Sequence, residues 1–160
     1  MFLDLTENTN QNVYSYLVGG ISPRPIAWIS TLNSEGSANI APYSFFTVAS
    51  CKPAVLSVTQ VNPSDKTNKD TLSNLMATKE CVVNIVSQEL VEKMNQSCAN
   101  YPSDISEFDA ANIAQAPSKL VNAPSVADSK VRFECKLREV ISISNEPGGG
   151  KMMLLDVVGI

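Results

Sequence analysis

The sequence contains no histidine among its 160 residues. Serine-protease-like and cysteine-protease-like triads, imidazole metal sites and histidine general bases are therefore excluded. Basic residues are also scarce, because 12 lysines and arginines stand against 16 aspartates and glutamates, which gives a net charge of −4. No face can thus collect the cations that a phosphate backbone demands, and we expect neither nucleic acid nor a membrane as a partner.

Long apolar runs and closely spaced cysteines are missing as well. No run approaches the roughly 20 apolar residues of a membrane helix, and no signal-peptide pattern opens the chain. Cys51, Cys81, Cys98 and Cys135 are too far apart for a C-x-x-C zinc or dithiol site, so we expect no metal. Their apolar neighbours predict small, reduced, buried side chains in a cytoplasmic protein.

Neither glycine cluster has the pattern of a nucleotide-binding loop. The segment "GGIS" does not stand in a strand, G-x-G-x-x-G, helix unit, which argues against a Rossmann site. The segment "PGGGK" lacks the spacing of a P-loop and is predicted to be a hairpin turn. The carboxylates are scattered without an evident acid–base pair, so we name no catalytic residue.

Alternating, β-branched and aromatic segments dominate the chain and predict a mainly β protein with a few helices. An apolar fraction of 44% and this length predict one globular domain over residues 1–160, built as a small antiparallel barrel. We predict helices over 13–20, 71–78 and "SQELVEKMNQSC", and a loop-rich stretch over 101–127. Strands are predicted over 26–32, 37–41, 43–51, 54–60, 80–86, 129–144 and from 152 onward.

Polar side chains gather at the ends of the first two strands and at the start of the second predicted helix. They are Ser30, Thr31, Asn39, Ser44, Lys69 and Thr71. A helix N-terminus offers free backbone N–H groups and a positive partial charge, so a lysine and a threonine there suit an anion. On composition alone, the simpler interpretation is a solvated lysine beside a capping threonine.

Four segments, taken in order, resemble the motifs of the flavin reductase-like family. The first is "RPIAWISTLNSEGSANIAPYSFFTVASCKP", and the second is "NKDTLSNLMATKECVVNIVS", which contains a K-D-T-x-x-N helix start. The third and fourth are "VNAPSVADSKVRFECKLREVI" and "EPGGGKMMLLDVVGI". Members of this family usually continue beyond the last motif, so we expect that this chain is cut short at its C-terminus, either naturally or by truncation.

The resemblance implies an FMN-binding split barrel of six antiparallel strands in Greek-key order, a homodimer, and FMN in a groove at the subunit interface. It also implies electron transfer from NAD(P)H to a small-molecule acceptor, such as free flavin. Flavin accepts hydride without an acid–base side chain, so the missing histidine is no obstacle. The cofactor-binding residues that it implies are Ser30, Thr31, Asn39, Ile40, Ala41, Ser44, Phe45, Lys69 and Thr71.

Two alternatives stay open at this point. One is a flavin-binding or electron-carrier protein without nucleotide turnover. The other is a barrel that holds a different ligand, such as haem, because one fold hosts many functions.

Overall fold

The computed structural model describes residues 2–6, 13–64, 68–99, 101–102 and 105–160. Its helices are α1 (Val13–Gly20), α2 (Asp70–Thr78), α3 (Val91–Gln96) and α4 (Glu107–Ala110), with a 3₁₀ turn at Gln88–Leu90. Its strands are β1 (Ala27–Leu32), β2 (Ala38–Tyr43), β3 (Phe46–Cys51), β4 (Ala54–Val61), β5 (Glu80–Ile85), β6 (Gln115–Ala116), β7 (Ser125–Val126), β8 (Arg132–Ser142) and β9 (Gly150–Gly159). The mainly β fold class is confirmed.

The main sheet is antiparallel and runs in the order β2-β1-β5-β8-β9-β4-β3. Strands β2 and β3 are consecutive in the chain, yet they stand at opposite edges of this sheet. Only Ser44 and Phe45 join them, a link that can span roughly 11 Å at most, so the sheet has to curl and bring its two edges toward each other. The result is the half-barrel of the predicted split-barrel fold. It has seven strands where the resemblance implies six, because β3 is separated from β2 by the bend at Ser44 and Phe45.

Alternation along β1 divides the apolar side chains between two layers. Ala27 and Ile29 point into the barrel, whereas Trp28 points outward beneath the helical segments. Both sides of β1 are therefore buried. The barrel interior contains Ala27, Ile29, Tyr43, Leu56, Val58, Leu72, Leu75, Cys81, Val83, Cys135, Met153 and Leu155. The outer cluster contains Trp28, Ile40, Leu90, Phe108, Ala111, Ile113 and Val126.

Helix α2 covers one end of the barrel. Leu72 and Leu75, which lie three positions apart on one helix face, insert fully buried into the interior cluster. The extended residue Lys69 precedes the helix, and Lys79 ends it in the left-handed conformation with a φ of 64°. Because this helix packs against β1 and β2, its N-terminus lies beside the edge of the sheet.

The stretch over 101–127 contains regular structure that the sequence does not reveal. Helix α4 lies here, anchored by Phe108, which is only 1% exposed, and strands β6 and β7 form a separate hairpin. A helix of four residues and strands of two residues are too short to produce a periodic pattern. The prediction of a loop-rich stretch is therefore incomplete.

The four cysteines, all of them within the described ranges, are free. Cys81 and Cys135 are buried as register partners on β5 and β8, as predicted. The neighbouring Cys135 thiol, together with burial, raises the pKa of Cys81 well above its usual value and keeps it protonated. The prediction of burial is wrong for Cys51 and Cys98, which are exposed because they lie at the end of edge strand β3 and just after α3.

Candidate functional site

A groove of about 340 Å³ lies between the edge of β2, the N-terminus of α2 and the segment that follows α3. We call it the β2–α2 groove. Ligand pockets in proteins usually measure roughly 300 to 1,000 Å³, so this groove is at the lower end of the range. It is lined by Asn39, Ala41, Pro42, Tyr43, Pro63, Lys69, Asp70, Thr71, Ser97, Cys98, Ala99, Tyr101 and Glu107.

Lys69 is the lysine of the β2–α2 groove. Its ammonium lies 5.8 Å from the centroid of the Tyr43 ring, within cation–π range. The Tyr43 hydroxyl is buried and has no hydrogen-bond partner of ordinary geometry among the described residues. Burial raises the pKa of Tyr43 to about 12, which the nearby Thr71 side chain partly offsets. Tyr43 therefore stays neutral and supplies a polarisable face beneath the lysine.

Asn39 is the centre of a hydrogen-bond chain beside the groove. Its Oδ1 accepts hydrogen bonds from Thr31 Oγ1 at 3.4 Å and from Thr71 Oγ1 at 3.1 Å. Asn74 Nδ2 donates to Thr31 Oγ1 at 3.1 Å, so the chain reaches back into α2. Three of the predicted site residues are thus connected by one network.

Helix α4 covers part of the edge of β2. Glu107 accepts hydrogen bonds from Asn39 Nδ2 on both carboxylate oxygens at 2.9 Å, and Oε2 also accepts the Ile40 N–H at 3.1 Å. Ser106 Oγ donates to the Ala38 carbonyl at 2.6 Å. Burial raises the pKa of Glu107 and the Asp70 carboxylate adds to this, against the lowering effect of the hydrogen bonds.

Beyond Ile40 the edge of β2 is open toward the groove. Backbone groups of successive strand residues face alternate sides, and Ala41 pairs with Ile29 of β1. The Ile40 N–H donates to Glu107 rather than to β1, so the backbone groups of Ile40 and Pro42 face away from β1. Because proline has no N–H, this part of the edge presents the carbonyls of Ile40 and Pro42.

The predicted site residues do not all reach the groove. Asn39, Ala41, Lys69 and Thr71 line it, and Thr31 joins them through the Asn39 network. The Ile40 side chain belongs to the outer apolar cluster, so only its backbone lies at the edge.

Ser30, Ser44 and Phe45 are not among the residues that line the groove. Ser30 points to the opposite face of β1 from Thr31, where its hydroxyl donates to the Pro124 carbonyl and accepts from Asn84 at 3.2 Å. Ser44 Oγ accepts a hydrogen bond from Arg24 at 3.4 Å, and the Phe45 carbonyl accepts from the Thr59 N–H at 2.8 Å. Their contribution to cofactor binding stays a prediction.

Several residues in or beside the groove were missed by sequence reasoning, and three of them make the contacts described above. Asn74 is the asparagine of the K-D-T-x-x-N pattern, and its spacing from Thr71 on a helix was a usable signal. Tyr43 stands inside the first motif, between Pro42 and Ser44. Glu107 had no local signal, because its contacts with β2 span 67 and 68 positions of the chain.

Comparison with known proteins agrees with this architecture. The family model of the flavin reductase like domain matches residues 19–153, and the chain belongs to this family. An uncharacterized protein of Aquifex aeolicus (strain VF5) is 42% identical over 137 residues, which cover 86% of this chain and 70% of that protein. The chain is thereby assigned to the flavin-related oxidoreductases, with a flavin as the cofactor.

Two solved structures illustrate the likeness. Nitrilotriacetate monooxygenase component B from Bacillus cereus is 30% identical with a TM-score of 0.92, covering 99% of this chain and 79% of that chain. The NADH:FAD oxidoreductase SgcE6 of Streptomyces globisporus C-1027 has a TM-score of 0.77 over 99% of this chain and 84% of that chain. At 17% identity the second likeness concerns the fold alone.

The described part of the chain was also compared with the requirements of a metal site and of a membrane-spanning helix. Within the described ranges, no group of three or more cysteine, aspartate and glutamate side chains is arranged to hold a metal ion. None of the helices in the described part of the chain has both the length and the apolar character needed to span a bilayer.

Proposed function

We propose that this protein is an FMN-dependent oxidoreductase that passes electrons from NAD(P)H to a small-molecule acceptor, with FMN in the β2–α2 groove. The observation that supports this most is the juxtaposition of Lys69, the N-terminus of α2 and the open edge of β2 in one groove. Each of these features matches a different part of the FMN molecule.

The phosphate matches the start of α2. The first backbone N–H groups of a helix have no partner within it, and the helix dipole favours an anion at this end. Lys69 adds a full positive charge at the N-cap position. The hydroxyl of Thr71 lines the groove beside the place proposed for the ribityl chain, and Asn39 holds both this hydroxyl and that of the buried Thr31 behind it.

The polar edge of the flavin ring matches the open part of β2. The carbonyls of Ile40 and Pro42 are acceptors for the ring N–H. The bound flavin supplies hydride acceptance, and it needs no acid–base side chain for this. The residues of this chain bind the flavin, orient it and exclude water from one of its faces.

We propose a homodimer, because α1 and β3 expose apolar surface that one subunit does not cover. No residue of α1 is buried, and Leu17 is 55% exposed. Val48, on edge strand β3, is 60% exposed. A short helix without a buried face is marginal in water, so a second copy that covers it stabilises both helices. Arg24 links the end of α1 to Ser44, which places this surface near the groove.

Light scattering at micromolar concentration should give twice the chain mass of 17.2 kDa. Leu17→Glu should shift the protein toward the monomer, because a carboxylate in an apolar interface is costly. Ile143→Glu is the control, since Ile143 is 66% exposed in the turn between β8 and β9. A wild-type monomer that binds FMN with full affinity would contradict the homodimer.

The test of the proposed reaction is an anaerobic titration of the FMN-loaded protein with NADH and with NADPH. We expect at least one nucleotide to bleach the visible flavin absorption, and oxygen or added flavin to restore it. Parallel loading with FAD checks the choice of FMN, which the small groove favours.

Bleaching by dithionite but by neither nucleotide would instead identify a flavin-binding electron carrier. A protein that binds no flavin and shows the spectrum of another ligand would overturn both readings. The cytoplasmic location stays a prediction.

A further inference from the structure

Glu107 is a carboxylate of the groove that the proposed electron transfer does not use. It belongs to a four-residue helix, yet it is held firmly, because the next residue, Phe108, is buried in the outer cluster. From this position it receives three hydrogen bonds, two from the Asn39 amide and one from the Ile40 N–H. The Glu107 carboxylate thus holds the edge of β2 in place through these hydrogen bonds.

The negative charge of Glu107 determines which groups donate and which accept along the hydrogen-bond chain through Asn39 to Thr31 and Thr71. An ionised carboxylate only accepts hydrogen bonds, so the Asn39 amide must turn its NH₂ group toward Glu107. The Asn39 carbonyl oxygen is then left to accept from Thr31 and Thr71. The Thr71 hydroxyl, which belongs to the groove lining, consequently directs its proton to Asn39 and leaves its lone pairs available to a ligand, whereas the Thr31 oxygen accepts from Asn74 inside the protein.

We propose that Glu107 is a positioning residue, whose ionised carboxylate fixes β2 and the polarity of the Asn39, Thr31 and Thr71 chain so that the groove binds the ribityl and ring portions of a flavin. This inference rests on the proposed flavin binding. Glu107 acts through Asn39 and Ile40 rather than by contact with the flavin. Protonation of Glu107 turns one oxygen into a donor, which opposes the donors of Asn39 and Ile40 and disorders the groove.

The inference predicts a flavin affinity that depends on pH. Burial raises the pKa of Glu107 above its usual value, so protonation begins at a higher pH than for an exposed glutamate. Affinity should therefore be full above this pKa and fall as the pH drops through it. The charged and titratable groups that line the groove with Glu107 are Tyr43, Lys69, Asp70, Cys98 and Tyr101.

The free energy of unfolding should respond to pH differently from the flavin affinity. A carboxyl whose folded pKa is raised binds more protons when folded, so stability falls as the pH rises through the window between the unfolded and folded pKa values. Ionised Glu107 is thus unfavourable for folding at neutral pH. We expect the melting temperature of Glu107→Gln at neutral pH to match or exceed that of the wild type, whereas its flavin affinity falls.

The experiment measures riboflavin affinity by fluorescence quenching at a series of pH values, from neutral pH down through the ordinary titration range of glutamate. Riboflavin is used because the FMN phosphate titrates near pH 6 by itself. We expect wild-type affinity to fall about tenfold with acidification, in line with the loss of one charge-assisted hydrogen-bond set. Glu107→Gln should be about tenfold weaker at neutral pH and independent of pH.

Asp109→Asn is the matched control, because it removes the same charge from the exposed side of the same helix. It should follow the wild-type curve. As a second measurement that needs no variant, the NMR resonance of the Ile40 amide should titrate with the midpoint of the riboflavin affinity. Different midpoints, or a Glu107→Gln variant that keeps the wild-type affinity or slope, would overturn the inference. A wild-type protein that binds riboflavin at no pH would overturn the proposed function, and this inference with it.

Discussion

Lys69→Ala should weaken FMN binding by roughly 10- to 150-fold and leave riboflavin binding almost unchanged. A charge-assisted hydrogen bond contributes about 1.5 to 3 kcal/mol, and each ~1.4 kcal/mol corresponds to a factor of ten. Lys69 is the N-cap residue of α2, and its ammonium lies over the Tyr43 ring in the groove that the start of this helix also lines. Riboflavin has no phosphate and therefore does not use this charge. Fluorescence titration with both flavins measures the difference.

The control for this variant is a lysine outside the groove. Lys66 is the control that the sequence indicates, but it lies outside the described residues. Lys130→Ala replaces it, because the Lys130 side chain is 74% exposed and its ammonium lies 3.8 Å from the Glu89 carboxylate. Exposed ion pairs contribute little, so Lys130→Ala should bind both flavins like the wild type. If Lys69→Ala weakens riboflavin as much as FMN, Lys69 does not meet the phosphate.

The parts of the site that could be predicted from the sequence are those carried by contiguous motifs. Lys69 and Thr71 stand together at a helix start, and Asn39 and Ala41 stand on one strand edge. Sequence adjacency was misleading for Ser30 and Thr31. Successive strand residues point to opposite faces, so only Thr31 of this pair joins the Asn39 network beside the groove.

Long-range contacts account for what could not be predicted. The hydrogen bonds between Glu107 and β2 join segments that are far apart in the chain, and α4 is too short to be recognised from periodicity. The same limit applies to the closure of the barrel. Alternating, β-branched and continuous apolar patterns identify strands β1, β4, β5 and β8, but the order in which they pair depends on tertiary packing.

The groove lies where two kinds of structure meet. Strand β2 and helix α2 place Tyr43, Leu72 and Leu75 in the barrel interior, whereas α4 places Phe108 in the outer cluster and is hydrogen-bonded to the edge of β2. The barrel and helix α2 therefore supply Asn39 and Thr71, and the short helix α4 supplies Glu107. The outer cluster has few apolar side chains, so we expect its member Phe108 to determine both the local stability and the geometry of the groove.

Phe108→Ala should lower the free energy of unfolding by about 3 to 5 kcal/mol, the usual cost of removing a fully buried aromatic side chain. Phe108 is only 1% exposed and packs with Trp28, Ile40 and Val126 in the outer cluster. Natural domains are stable by about 5 to 15 kcal/mol, so this variant should denature at much lower urea concentrations than the wild type. Urea unfolding followed by the fluorescence of the single tryptophan measures the change.

The effect of Phe108→Ala on riboflavin affinity distinguishes the anchoring of α4 from a general loss of stability. Phe108 fixes α4, so its loss should also release the contact of Glu107 with Ile40 and weaken riboflavin in conditions where the variant is fully folded. Phe108→Leu keeps an apolar anchor and should retain most of the affinity at an intermediate stability. Ile105→Ala is the surface control, because Ile105 is 44% exposed and changes at such positions stay within about 0.5 kcal/mol. Equal urea midpoints for Phe108→Ala and Ile105→Ala would contradict the anchoring role, because a fully buried phenylalanine would then contribute no more than an exposed isoleucine.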